Sequence, residues 1–285
     1  MFTRKRTGSV VCPSCGRLVG VNDERCLNCG RWRPGMWGMA PLLRKLGQDF
    51  GFTSAVLAGC TALYLASLAI DPAGIAMRGL FDLFAPSTKS LFLLGASGAI
   101  PVFELDRWWT VLSAGWLHGS LLHILFNMLW VRQLAPETAE AYGPARMVII
   151  YTAASVAGFT VSSLVGGFLP FLPRFIAGAH FTIGASAAIF GLLGAMVHYG
   201  QRRGSSAVGK QAFTYAIVLA LFGFVMPGVD NWAHLGGFAG GYAMSFWLDP
   251  WKEERLDHVI AAFACLAATV AAVIASVVTG LPAIR

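Results

Sequence analysis

Ser186, His234, His123 and Asn127 are of residue types that suit acyl-transfer chemistry. A serine is a weak nucleophile until a base accepts its proton, and neutral imidazole is the usual base near pH 7. The oxyanion of the tetrahedral intermediate then needs preorganised donors. The Ser186 backbone N–H, at an expected helix N-terminus, would supply one donor and a favourable dipole. The His123 ring and the Asn127 amide would supply two more; four residues apart, they share one helical face. Phe190, one turn after Ser186, would pack on the His234 ring and hold it. No acidic residue falls within the expected spans, so a Ser–His dyad is read rather than a triad.

Each residue also has a plain structural reading. Ser186 alone, among Gly and Ala, reads as a helix-packing serine. One intramembrane histidine reads as an interhelical strut or part of a proton path, and His123 with Asn127 as an interhelical clamp. What outweighs these readings is that nucleophile, base and oxyanion donors fall at one depth toward one leaflet. His118 is read as structural, nearer the interface and tying down an outer loop; His180, His198 and His258 are read as incidental. Ser186 is not in a G-x-S-x-G elbow, which excludes an α/β-hydrolase.

The elements that must position these residues are membrane helices. Of 285 residues, 56% are apolar and 12% charged, with 33 glycines and a mean hydropathy of +0.64. Soluble domains carry roughly 25% charged residues, so the chain reads as a polytopic all-α membrane protein. Uncharged runs near 50–70, 111–131, 147–173, 175–201, 211–229, 231–248 and 259–284 reach or approach the roughly 20 residues of a spanning helix. Residues 90–103 are uncharged but short and Gly/Pro-broken, suiting an interfacial or re-entrant segment. With the N-terminus inside, 16 of the 21 basic residues face the cytoplasm; Arg78, Lys89, Arg107, Arg174 and Arg285 lie outside. That bias predicts N-in and C-out. No cleavable signal peptide is expected, and the short basic N-terminus suits a bacterial inner membrane. Gly237 with Gly241, and Gly236 with Gly240, form small-xxx-small pairs that let helix backbones approach.

The first 35 residues are polar and basic. They carry Cys12-Pro13-Ser14-Cys15 and Cys26-Leu27-Asn28-Cys29, with Gly16 and Gly30 directly after each pair. Two such knuckles can present four thiolates to a structural Zn²⁺; unligated thiols or a redox pair are the alternatives. Cys60 and Cys265, inside spans, read as small apolar residues. The expected division is a zinc-ribbon-like module at 1–35, a basic linker at 36–50, a six-helix core at 51–250, and a loop with a seventh helix at 251–285. The module suits a cytosolic protein partner or metal sensing; its charge is better explained by anionic lipid than by nucleic acid.

The order His118-x4-His123-x3-Asn127, then Gly184-x-Ser186, then Ala233-His234-x2-Gly237-x3-Gly241 resembles the rhomboid intramembrane serine proteases, over roughly residues 50–250. The resemblance implies a six-helix core, here with one C-terminal helix added, and cleavage of transmembrane segments of single-span or polytopic membrane proteins. It implies Ser186 as nucleophile and His234 as general base. His123, Asn127 and the Ser186 N–H would form the oxyanion hole; Gly184, Phe190, Gly237 and Gly241 would support it. No metal enters the chemistry. Residues 71–110 would form a membrane-embedded first loop and 226–233 a flexible cap, beside a fifth span through which substrate enters. The pattern departs in two places. Ala187 stands where the family has Gly after the serine; a methyl there can shift helix spacing or the oxyanion amide, and is read as tolerable because it is the smallest possible increment. The family's Trp-Arg pair is altered to Arg107-Trp108-Trp109-Thr110, which would weaken the loop's anchoring. The alternative function is an idle rhomboid-like protein that binds client helices. A proton-coupled transporter fits less well, since no intramembrane carboxylate and no internal repeat are found.

Overall fold

The computed structural model of the chain describes residues 5–12, 16–38, 49–169, 171–173, 176–202, 207–226, 228–252 and 254–284. Cys15, Arg174 and Arg285 lie outside the described residues, as does most of the expected linker. The chain starts with a small hairpin, β1 (Ser9–Val11) antiparallel to β2 (Leu18–Gly20), in the register Ser9 to Gly20. Among the described residues after 50 the named elements are helices, with two isolated antiparallel bridges, Ala76 to Ala85 and Ser97 to Thr182. The helices are α1 (Phe52–Ile70), α2 (Thr88–Leu94), α3 (Thr110–Ser113), α4 (Leu121–Tyr142), α5 (Pro144–Phe168), α6 (Ser186–Arg202), α7 (Ala207–Val225), α8 (Asn231–Trp247) and α9 (Leu256–Ile284).

Among the described residues, α1, α5, α7 and α9 are long and apolar enough to cross a membrane by length and composition. Of the other three long helices, α4 and α8 bury one face and α6 nearly all of its length, and they carry the polar residues. α6 and α8 have 17 residues each, about 26 Å at 1.5 Å per residue. α4 is longer but carries Arg132, Glu137 and Glu140 in its second half. α6 is buried on nearly all sides, as expected of a helix apolar all round. α5 and α8 pack closely on it, with α4 and α7 alongside. The chain is a polytopic all-α membrane protein.

Two expected boundaries move. The second span, expected at 111–131, is α4 at Leu121–Tyr142. Residues 114–116 form a 3₁₀ turn, and the Ser120 hydroxyl accepts the His123 N–H at 3.2 Å to cap α4. The fourth uncharged run begins at 175, but its helix starts at the expected N-terminus, Ser186; before it Thr182 pairs with Ser97 in an antiparallel bridge and Gly184 turns the chain at φ +123°. Hydropathy cannot separate such buried extended chain from helix. The cap expected at 226–233 is shorter, since 231–233 are already the first turn of α8.

Glycine sets the spacing of the bundle centre. A β-carbon at Gly237 would collide with the Ala187 carbonyl, one at Gly241 with the Gly191 carbonyl, and one at Gly194 with the Phe238 carbonyl. These contacts bring the α6 and α8 backbones together, as small residues do where lipid supplies no hydrophobic drive.

Residues 71–110 pack at the end of this bundle where α4 and α6 begin. Arg107 anchors them, contrary to the weakened anchoring expected from the altered Trp-Arg order. Asp106 at φ +53° turns the Arg107 side chain inward. Its guanidinium donates to the Phe92 carbonyl at 3.0 Å and to the Ser276 carbonyl at 2.8 Å, and lies 4.1 Å over the Phe92 ring. Trp109 Nε1 donates to Ser276 Oγ at 3.1 Å. The loop is thus tied to α9, the helix added after the core.

Candidate active site

Ser186 is the first residue of α6, so its N–H is among the four at that end with no intrahelical acceptor. Its Oγ lies 2.9 Å from His234 Nε2, across the glycine-lined contact between α6 and α8. His234 sits in the first turn of α8 and is 8% exposed. Phe190 stacks on its ring at 4.2 Å between centroids, 16° from parallel, which fixes the imidazole plane. Among the described residues His234 Nδ1 has no hydrogen-bond partner, so no carboxylate completes a triad.

His123 points its other edge at the same place. The Gly119 N–H donates to His123 Nδ1 at 3.2 Å, which assigns the ring proton to Nε2. A β-carbon at Gly184 would stand 2.7 Å from that Nε2 and 3.8 Å from Ser186 Oγ. The nitrogen and the hydroxyl therefore flank one point, and Gly184 both keeps it clear and tolerates its positive φ. Asn127, 5% exposed, joins through His123: its Nδ2 donates to the His123 carbonyl at 2.8 Å. One amide hydrogen remains for another acceptor. His118, expected near the interface, is fully buried and edge-on to the His123 ring at 5.1 Å.

The Ala187 methyl sits at the junction of α5 with the first turn of α8, clear of Gly237. It turns toward α5, where Gly158 makes room: a β-carbon at Gly158 would stand only 2.8 Å from Ala187 Cβ. Ala187 is buried with Ala114, Phe159 and Ala233. With the methyl seated there, the contact of Ser186 with His234 is within hydrogen-bond range.

Two residues outside the expected set hold α8 in place. Asp230 caps it by accepting the Ala233 N–H at 3.0 Å, and its other oxygen accepts the Ser162 hydroxyl of α5 at 2.6 Å. Trp232 Nε1 donates to the Ile176 carbonyl at 2.8 Å. An acidic residue just before a helical run is the sequence signal for such a cap. His258, expected in a charged loop, is in the first turn of α9, where its Nδ1 accepts from Arg146 Nε at 3.2 Å. His198 packs between Tyr242 and Phe246, away from the site.

Beside His234, between α7 and α8, an apolar cavity of about 560 Å³ is lined by Phe190, Phe213, Ala216, Phe224, Trp232 and Phe238. The far side of α7 exposes Leu221 and Val225.

Fold and site together define a helical membrane protein with a serine and a histidine paired inside the bundle. The family model of the rhomboid domain matches residues 105–251, just over half of the chain, and this chain belongs to the rhomboid family. It is 36% identical over 170 residues to RHOMBOID-like protein 2 of Arabidopsis thaliana, covering 58% of this chain and 50% of that one. It is 34% identical over 168 residues to RHOMBOID-like protein 4 of the same plant, covering 58% and 40%. It is 28% identical over 159 residues to the rhomboid protease GluP of Bacillus subtilis, covering 55% and 29%. The chain spans about half the length of the curated relatives it matches first.

Proposed function

We propose that this protein is an intramembrane serine endopeptidase that cleaves transmembrane segments of other membrane proteins. The 2.9 Å contact between Ser186 Oγ and His234 Nε2 carries the reading. It lies within the reach a nucleophile and its base require. His234 Nε2 takes the hydroxyl proton as Oγ attacks the scissile carbonyl, then gives it to the leaving amine. The Ser186 N–H and the His123 Nε2–H hold the oxyanion, with the free Asn127 amide hydrogen as a third donor. Water hydrolyses the acyl-enzyme, with His234 again as base. The cavity between α7 and α8 suits an apolar substrate segment arriving from the lipid.

The seat of Ala187 against Gly158 favours this activity over an idle, client-binding role, because the departure from the family pattern leaves the dyad closed. The proposed orientation puts residues 5–38 in the cytosol and the site toward the outer leaflet, following the basic-residue bias. The test is cleavage of a single-span substrate in proteoliposomes. Ser186→Ala should abolish cleavage while thermal unfolding in detergent stays unchanged; retained cleavage overturns the reading.

A further inference from the structure

The N-terminal module plays no part in the chemistry above. Cys12 and Cys26 are each 1% exposed, and the Sγ atoms of Cys12, Cys26 and Cys29 lie within 4.8 Å of one another. The Cys12 and Cys29 sulfurs are 3.7 Å apart. That is far beyond the roughly 2.05 Å of a disulfide. It matches the edge of about 3.8 Å of a tetrahedron with Zn–S bonds of about 2.3 Å.

The backbone repeats the same turn twice. The Cys12 N–H donates to the Arg17 carbonyl and the Gly16 N–H to the Cys12 carbonyl, at 2.8 and 3.0 Å. The Cys26 N–H donates to the Arg31 carbonyl and the Gly30 N–H to the Cys26 carbonyl, at 2.9 and 2.8 Å. Gly16 and Gly30 share φ, +72° and +73°. In the sequence, Cys15 directly precedes Gly16 as Cys29 directly precedes Gly30.

Around the sulfurs the apolar cluster consists of Val10, Val19 and Val21. So small a core cannot hold such a segment folded without a staple. We propose that Cys12, Cys26 and Cys29, with Cys15 as fourth ligand by its spacing, bind one Zn²⁺ that folds residues 5–38 into a structural module. The four thiols release their protons on binding, and the resulting double negative charge is offset by the many basic residues of this segment.

The metal would also fix where the module meets the membrane core. Arg31, which closes the second turn, is 7% exposed, and its charge acts on Glu254, lowering a carboxyl that burial raises. Glu254 caps α5, its Oε1 accepting the Ala145 and Arg146 N–H groups at 2.7 and 3.1 Å. Zinc would thus hold Arg31 at the end of the bundle opposite Ser186.

This inference stands apart from the protease reading. It is tested on the full chain purified in detergent without a histidine tag, by metal analysis and limited trypsin digestion. The expected result is about one zinc and no iron per chain, with Arg17 and Arg25 protected. Cys26→Ser with Cys29→Ser should lose the zinc and open those two sites while the helical core stays intact. Cys60→Ser with Cys265→Ser should keep it. A metal-free wild-type chain, iron in place of zinc, or zinc retained in the Cys26/Cys29 variant would each overturn the proposal.

Discussion

Gly237→Ala tests whether close helix contact aligns the dyad. The new methyl would overlap the Ala187 carbonyl, a backbone atom one residue from Ser186 that cannot rotate away. Relief requires α6 and α8 to separate by on the order of 1 Å, a shift that can cost about 100-fold in rate. Starting from 2.9 Å, the Oγ to Nε2 distance would leave hydrogen-bond range. We therefore expect cleavage of a single-span substrate to fall about 100-fold, near 2.7 kcal/mol of transition-state stabilisation, although neither reacting side chain is altered. Ala239→Leu, on the exposed face of the same helix, should be nearly silent. The assay is initial cleavage rate in proteoliposomes, with thermal unfolding in detergent to show that both variants fold. A folded Gly237→Ala protein cutting at the wild-type rate would refute the reasoning.

Other consequences are simpler to state. Ala187→Gly should leave the cleavage rate within about threefold, because the methyl fits beside Gly158 and Ala233 while the Ala187 backbone, not its methyl, meets Gly237; a large gain would mean that the alanine does hold the native dyad apart. Arg107→Ala removes two charge-assisted bonds, one that folds the first loop onto its own Phe92 and one that joins it to Ser276 of α9. At roughly 1.5–3 kcal/mol for a bond to a charged group, the thermal midpoint in detergent should drop by several degrees, and an unchanged midpoint would show that the loop is held elsewhere.

The chemistry was easier to read than the architecture around it. Ser186, His234, His123 and Asn127 stand out because polar residues are costly in a membrane and because spacings of three and four are local. The glycine pairs of α8 are visible for the same reason. The start of α6 is legible at Ser186, but the backbone that sets it is not. It depends on Thr182 pairing with Ser97, 85 positions away in the chain, and on one glycine at positive φ; hydropathy carries neither. Arg107 misleads in the opposite direction. Its shifted place beside Trp108 suggests a lost anchor, but a turn at Asp106 restores the reach and α9 supplies the acceptor. Asp230 is not read from the sequence as a cap, and its bond to Ser162 joins two helices that local patterns cannot pair.

The central claim is that His234 activates Ser186. Covalent labelling by a fluorophosphonate in detergent, read by mass spectrometry, addresses it most directly. The account predicts one adduct per chain, on the peptide containing Ser186, and its loss in folded His234→Ala. A folded wild-type chain that takes up no label, or a His234→Ala variant labelled at the wild-type rate, would contradict it.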